Sequence, residues 1–184
     1  AKRDGRQKID GSELYGADRA PADALWLRVV RSPHWNASFT IGDLTPVRQQ
    51  FPGLVRMLTA ADITGNNGYG VYPDVKDQPV LANGSVRYRG EAVCALIGDR
   101  DTITSIRDED LPIKWTEHAP LQGFDAPRAD GAPLIHADRP GNHLADGTVI
   151  KGDADAALAS ADIVVGCAVE TGFVEHAYIE PEAG

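Results

Sequence analysis

Apolar and polar positions begin to alternate at Leu25: Leu25, Leu27 and Val29 point one way, and Trp26, Arg28 and Val30 the other. The pattern predicts a strand whose Leu25, Leu27 and Val29 face is firmly apolar, ended by Ser32 and Pro33. A second short strand is expected over residues 38–41. Thr45 and Pro46 mark a helix start, because proline in the first turn gives up an amide that would be unpaired anyway. Pro52 and Gly53 stop that helix, and residues 54–58 read as another strand. Thr59-Ala-Ala-Asp62 has the spacing of a capping box, with Asp in place of Glu, and predicts one turn of helix.

Residues 64–79 are rich in Gly, Asn and Pro and predict a long surface loop. Asn83-Gly84 lies between Val80-Leu81 and the run from Val86, which is the signal of a tight hairpin with positive φ at both central residues. The run from Val86 to Gly98 is the strongest strand candidate. Ala92, Cys94 and Leu96 face one side and Val93, Ala95 and Ile97 the other, so a central strand covered on both faces is expected. Asp101 or Thr102 can cap a short helix carrying Ile103 and Ile106, and residues 112–115 follow as a strand, which together read as a βαβ-like unit. Prolines and glycines then interrupt residues 117–150, as in a linker running over a surface. Beyond it Asp153 is placed to cap an alanine-rich helix over 154–159. Residues 162–170 alternate again, with Ile163, Val165, Cys167 and Val169 on one face.

At 42% hydrophobic residues the 184-residue chain has enough apolar mass for a core and too much for a disordered segment. Its 27 acidic against 18 basic side chains leave a net charge of −9, which argues against nucleic acid as a partner. No apolar run approaches the roughly 20 residues of a membrane span, and the first ten residues lack the apolar core of a signal peptide. Together these predict a soluble, cytoplasmic chain.

Candidate chemistry is sparse. His34, His118, His136, His143 and His176 show neither helical i, i+4 spacing nor neighbouring cysteines, so no metal site is expected. The run Gly65-Asn-Asn-Gly68-Tyr-Gly70 lacks the spacing and the following Lys-Ser/Thr of a phosphate loop and reads as a turn cluster. Glu170, Glu175, Glu180 and Glu182 crowd together, but crowding in sequence does not build a carboxylate pair. Cys94 sits in a two-sided apolar run that should silence its thiol.

The order of short motifs is more telling. Tyr15-Gly-Ala-Asp18, Leu27-Arg-Val-Val-Arg-Ser-Pro-His34, Pro52-Gly-Leu-Val-Arg-Met-Leu-Thr-Ala-Ala-Asp62, Val86-Arg-Tyr-Arg-Gly-Glu-Ala-Val93, Gly152-Asp-Ala-Asp-Ala-Ala157 and Val174-Glu-His-Ala-Tyr-Ile-Glu-Pro181 follow one another along the chain. In that order they resemble the N-terminal part of the molybdenum-binding subunit of the xanthine dehydrogenase/aldehyde oxidase family. The resemblance implies an α/β fold: an α+β hammerhead-type domain with a mixed sheet and short helices, then a linker and the first elements of a molybdopterin-binding domain. The implied division is an N-terminal arm over 1–11, the hammerhead over 12–120, the linker over 121–150 and the incomplete molybdopterin-binding domain over 151–184.

The whole enzyme of such a family hydroxylates an aldehyde or N-heterocycle with water and passes electrons to iron–sulfur clusters. The resemblance implies molybdopterin of the cytosine dinucleotide type in that enzyme, with [2Fe-2S] clusters and often FAD on partner chains or domains. It assigns no catalytic, cofactor or metal residue to this chain, because the family's active-site motifs lie downstream of the Glu-Pro motif. The chain is thus expected to be structural, inactive alone, and partnered by the remaining molybdopterin-binding segment, an iron–sulfur subunit and often an FAD subunit. The alternative is a stand-alone, non-catalytic interaction module of the same fold. For either role the expected contact surface is the turn Tyr88, Arg89, Gly90 and Glu91, with Asn67 and Tyr69 in the preceding loop.

Overall fold

The computed structural model describes residues 3–73, 75–172 and 174–175. Among the described residues six strands form: β1 (Trp26–Arg31), β2 (Ala37–Ile41), β3 (Leu54–Leu58), β4 (Ser85–Val86), β5 (Ala92–Gly98) and β6 (Ile113–Glu117). Four short helices accompany them: α1 (Gly5–Asp10), α2 (Thr45–Gln50), α3 (Arg100–Ser105) and α4 (Ala154–Ala159). The α/β class with short helices is as expected. Its strands divide between two three-stranded sheets, ordered β1-β5-β3 and β4-β2-β6, and every strand pair is antiparallel. All six strands belong to one compact unit, Asp23–Leu144.

β5 is the centre of this unit. Cys94 and Leu96 enter a cluster with Val30, Val47, Leu54, Met57, Ile103, Ile106 and Leu111, while Val93 joins Ala37, Phe39, Ala82 and Val86 on the opposite side. A strand buried on both faces reads as an unbroken apolar run, as this one does.

The local devices at the ends of elements follow the sequence closely. Pro46 sits in the first turn of α2. Asp62 accepts from the Thr59 amide at 2.8 Å and Thr59 Oγ1 at 3.1 Å. Those bonds, the amide's first, and the nearby Arg56 guanidinium hold the Asp62 carboxyl below the usual carboxylate range. Asp153 caps α4 by accepting from the Ala156 amide at 2.9 Å.

Five expectations are corrected. The Leu25, Leu27 and Val29 face of β1 is not the core face: Leu25 and Leu27 are more than half exposed, and Val30 on the other side is buried. Arg28 shares the inward side because α3 ends with carbonyls that need donors. Its Nε donates to the Ile103 carbonyl at 3.0 Å, Nη2 to the Ile106 carbonyl at 2.9 Å, and Nη1 to Asp108 at 2.7 Å. The cap of α3 is Asp99 rather than Asp101 or Thr102; it accepts from the Thr102 amide at 2.8 Å.

No hairpin joins residues 80–81 to β4. Of Asn83 and Gly84 only Gly84 has positive φ, at 75°, and β4 pairs with β2 instead. The backbone of Leu81 is engaged by the Asn67 side chain, through bonds of 2.8 and 3.1 Å. The expected βαβ-like unit is also absent. β1 and β3 occupy both edges of β5, so β6 joins the other sheet. Residues 162–170 form no strand, because no neighbouring strand takes up their backbone bonds among the described residues; Ile163 and Val165 are more than four-fifths exposed.

Truncating Leu96 should therefore cost about 2–5 kcal/mol, whereas Leu27→Ala should cost under about 1 kcal/mol, both read from urea unfolding. Burial pushes the Cys94 thiol up to about 12. A thiol reagent at pH 8 should titrate exposed Cys167 in the native chain and reach Cys94 only on unfolding. Because the folded chain keeps a proton that the unfolded chain loses, this group makes stability fall above about pH 8.5, by at most about 1.4 kcal/mol per pH unit. Cys94→Ala should remove that contribution.

Candidate docking site

The connection from β4 to β5 carries the chain from one sheet to the other in five residues, 87–91. Gly90 adopts φ of 96°, a conformation other residues rarely take. Its amide donates to the Ser32 carbonyl at 2.9 Å, and the Ser32 amide donates back to the Glu91 carbonyl at 2.9 Å. Arg31 Nη1 adds a bond to the Gly90 carbonyl at 2.9 Å. Residues 87–91 are thus tied to the beginning of another inter-sheet connection, the one between β1 and β2.

Glu91 is only 1% exposed. Its Oε2 accepts from the Arg87 amide at 2.6 Å, and its Oε1 is paired with Arg87 Nη2. Arg87 Nη1 also donates to the Asp77 carbonyl at 3.0 Å and lies 3.3 Å from His136 Nδ1. A buried carboxylate needs a partner of this kind, since an unpaired buried charge costs several kcal/mol. Glu91 is therefore an internal brace. Tyr88 and Arg89 are what the turn displays.

The 66–72 loop is held beside this turn. Asn67 substitutes for a strand partner of Leu81, and Tyr69 exchanges backbone bonds with Gln78 at 2.7 and 3.0 Å. At Gly70 a Cβ would fall 2.2 Å from the Val75 carbonyl oxygen, so only glycine fits there. Tyr69, Val71 and Tyr72 are exposed. The Tyr88 hydroxyl titrates above its ordinary range, chiefly through burial, then through the nearby Glu91 and Tyr69, with Arg87 and Arg31 opposing. The structure thus brings Tyr69 and Tyr88 together, while Asn67 and Glu91 face inward as supports.

Reading the sequence missed Arg87, Arg31 and Ser32 as organisers. The i, i+4 spacing of Arg87 and Glu91 was the available signal. Two cavities flank the site. A polar groove of about 460 Å³ is lined by Asn66, Asn67, Lys76, Asn83, Arg87 and His136. A pocket of about 280 Å³ is lined by Val30, Arg31, Pro33, Leu111, Ile113 and Trp115, with Asp108 and Glu109 at its rim.

The remaining sequence candidates do not converge. His34 Nδ1 lies 3.3 Å from Glu117, His118 Nε2 lies 3.1 Å from the Ser38 hydroxyl, and His136 is on Arg87. Among the described residues no three His, Cys, Asp or Glu side chains are grouped to hold a metal. Glu170 and Glu175 are exposed, while His176, Glu180 and Glu182 lie outside the described residues.

Two small antiparallel sheets, one of them built on a doubly buried central strand, with short helices between, define an α/β domain whose organised feature is a braced, displayed turn. The model of the aldehyde oxidase and xanthine dehydrogenase a/b hammerhead domain matches residues 10–118, and the chain belongs to that family. It is 28% identical to the nicotinate dehydrogenase large molybdopterin subunit of Eubacterium barkeri, a match spanning 100% of this chain and 42% of that protein. It is likewise 28% identical to a probable xanthine dehydrogenase subunit of Bacillus subtilis, over 98% of this chain and 24% of that one. Among solved structures, the aldehyde oxidoreductase of Desulfovibrio gigas superposes with a TM-score of 0.74 at 25% identity, covering 88% of this chain and 19% of that chain. The chain therefore spans less than half the length of these relatives.

Glu91→Ala should lower stability by about 3–5 kcal/mol, because it leaves Arg87 half-buried without its carboxylate. Arg89→Ala on the same turn should stay within about 0.5 kcal/mol. Urea midpoints of the two variants separate the brace from the displayed residue.

Proposed function

We propose that the chain is a structural and assembly part of a molybdenum hydroxylase of the xanthine dehydrogenase/aldehyde oxidase type. The observation that carries this reading is the hammerhead match over residues 10–118 in a chain whose fold superposes on an aldehyde oxidoreductase. In the complete enzyme an aldehyde or N-heterocycle is hydroxylated with oxygen from water. Molybdopterin, of the cytosine dinucleotide type, supplies the redox centre, and electrons leave through [2Fe-2S] clusters and often FAD.

The described residues of this chain do not fit a site for those groups. They present no ligand cluster, and Arg87, the best-placed cation of the polar groove, is already paired with Glu91. No step of the chemistry is assigned to them.

Its role is to hold cofactor-bearing parts in register. We assign residues 12–120 to the hammerhead, 121–150 to a linker and 151–184 to the opening of the molybdopterin-binding domain, preceded by an arm over 1–11. The partners are the remaining molybdopterin-binding segment, an iron–sulfur subunit and often an FAD subunit, in the cytoplasm. The contact surface is the turn of Tyr88, Arg89, Gly90 and Glu91, with Tyr69 displayed beside it and Asn67 supporting the loop.

Purification of the chain from its source, under mild conditions and with metal analysis, tests this. Molybdenum and iron in stoichiometric amounts, with iron–sulfur absorbance, are the expected result. A stable protein free of both metals and of cofactor-bearing chains would point instead to a stand-alone interaction module.

A further inference from the structure

Arg31, bonded to the braced turn, and Arg89, within it, are both exposed in a chain of net charge −9. Arg31 is fixed by the Gly90 carbonyl at 2.9 Å and has no carboxylate within ion-pair distance among the described residues; Arg89 has neither a hydrogen bond nor an ion pair there. Arg87, two residues before Arg89, is neutralised by Glu91. Beside the arginines lie the half-exposed rings of Tyr69 and Tyr88. Arg31 also forms part of the lining of the 280 Å³ pocket with Val30, Pro33, Ile113 and Trp115, and its bond to the Gly90 carbonyl links that pocket to the turn. Tyrosine and arginine around an apolar pocket is the composition of binding hot spots.

We propose that this strip docks an acidic segment of a partner polypeptide, with an apolar side chain in the pocket and carboxylates on Arg31 and Arg89. Charge decides the occupant. Two guanidiniums without a carboxylate partner among the described residues, on an acidic chain, favour carboxylates, and Arg presents paired donors that match them. Asp108 and Glu109 also line the pocket, so the basic surface is confined to two arginines and is too narrow for nucleic acid, which needs a broad basic face. Asp108 is already paired with Arg28, so the partner's acidic groups are assigned to Arg31 and Arg89. This surface deepens the assembly role proposed above and rests on it for the identity of the partner, another part of the same enzyme.

The test uses the 184-residue chain and three soluble probes at low salt: a random Glu–Tyr copolymer, poly-L-glutamate and heparin, with binding followed by calorimetry. The Glu–Tyr copolymer should bind best and poly-L-glutamate more weakly, with heparin weakest. Arg31→Glu/Arg89→Glu should weaken copolymer binding at least about tenfold. Arg31→Gln/Arg89→Gln serves as the milder pair, and Arg48→Glu on α2 should bind as the wild type does. Protection of the Cys94 thiol reports that each variant is folded. Copolymer binding that is absent, or indifferent to both arginine pairs, overturns the docking proposal, and so does tighter binding of heparin. Any of these leaves the metal content of the purified enzyme, and the assembly reading it tests, untouched.

Discussion

A buried carboxylate at a crossing point constrains this domain. The chain passes between its two sheets through residues 32–36 and again through residues 87–91, and the two passages are bonded to each other at Ser32, Gly90 and Glu91. Glu91 can be buried there only because Arg87, four residues earlier, supplies both its amide and its guanidinium. That requirement fixes the path of the turn and with it the direction in which Tyr88 and Arg89 project. The rigidity of the displayed surface is thus inherited from the polar interior beneath it.

The second organising fact is that β5 is buried on both faces while paired on both edges. Its run of apolar residues made the strand legible in sequence, and so did the local signals whose partners lie within a few residues: Pro46 at a helix start, the Thr59 and Asp62 box, Asp153 as a cap. What was not legible depends on long-range partners. Arg28 looks like the polar interruption of a surface strand until the carbonyls of Ile103 and Ile106 are placed beside it. The apolar stripe of Leu25, Leu27 and Val29 then falls on the more exposed side, because alternation identifies two faces without saying which meets the core. Residues 162–170 show the same limit: their pattern suits a strand, yet a strand exists only where a neighbour accepts its hydrogen bonds.

The site was half legible. The turn at residues 88–91 stood out through its glycine, and the loop before it through Asn67 and Tyr69. Their division of labour did not, since nothing local distinguishes Glu91, which faces inward, from Tyr88, which faces outward. Arg87 and Arg31 were invisible as organisers because their partners at Asp77, His136 and Gly90 are set by the fold.

The account stands or falls on whether that surface is covered in the assembled molybdenum enzyme of which we propose the chain is a part. Hydroxyl-radical footprinting, followed by mass spectrometry of Tyr69 and Tyr88 in the isolated chain and in the intact cofactor-bearing enzyme, measures it directly. Oxidation of both rings should fall several-fold on assembly. Equal rates in the two states would mean that the braced turn faces solvent in the working enzyme, and that the parts are held in register elsewhere.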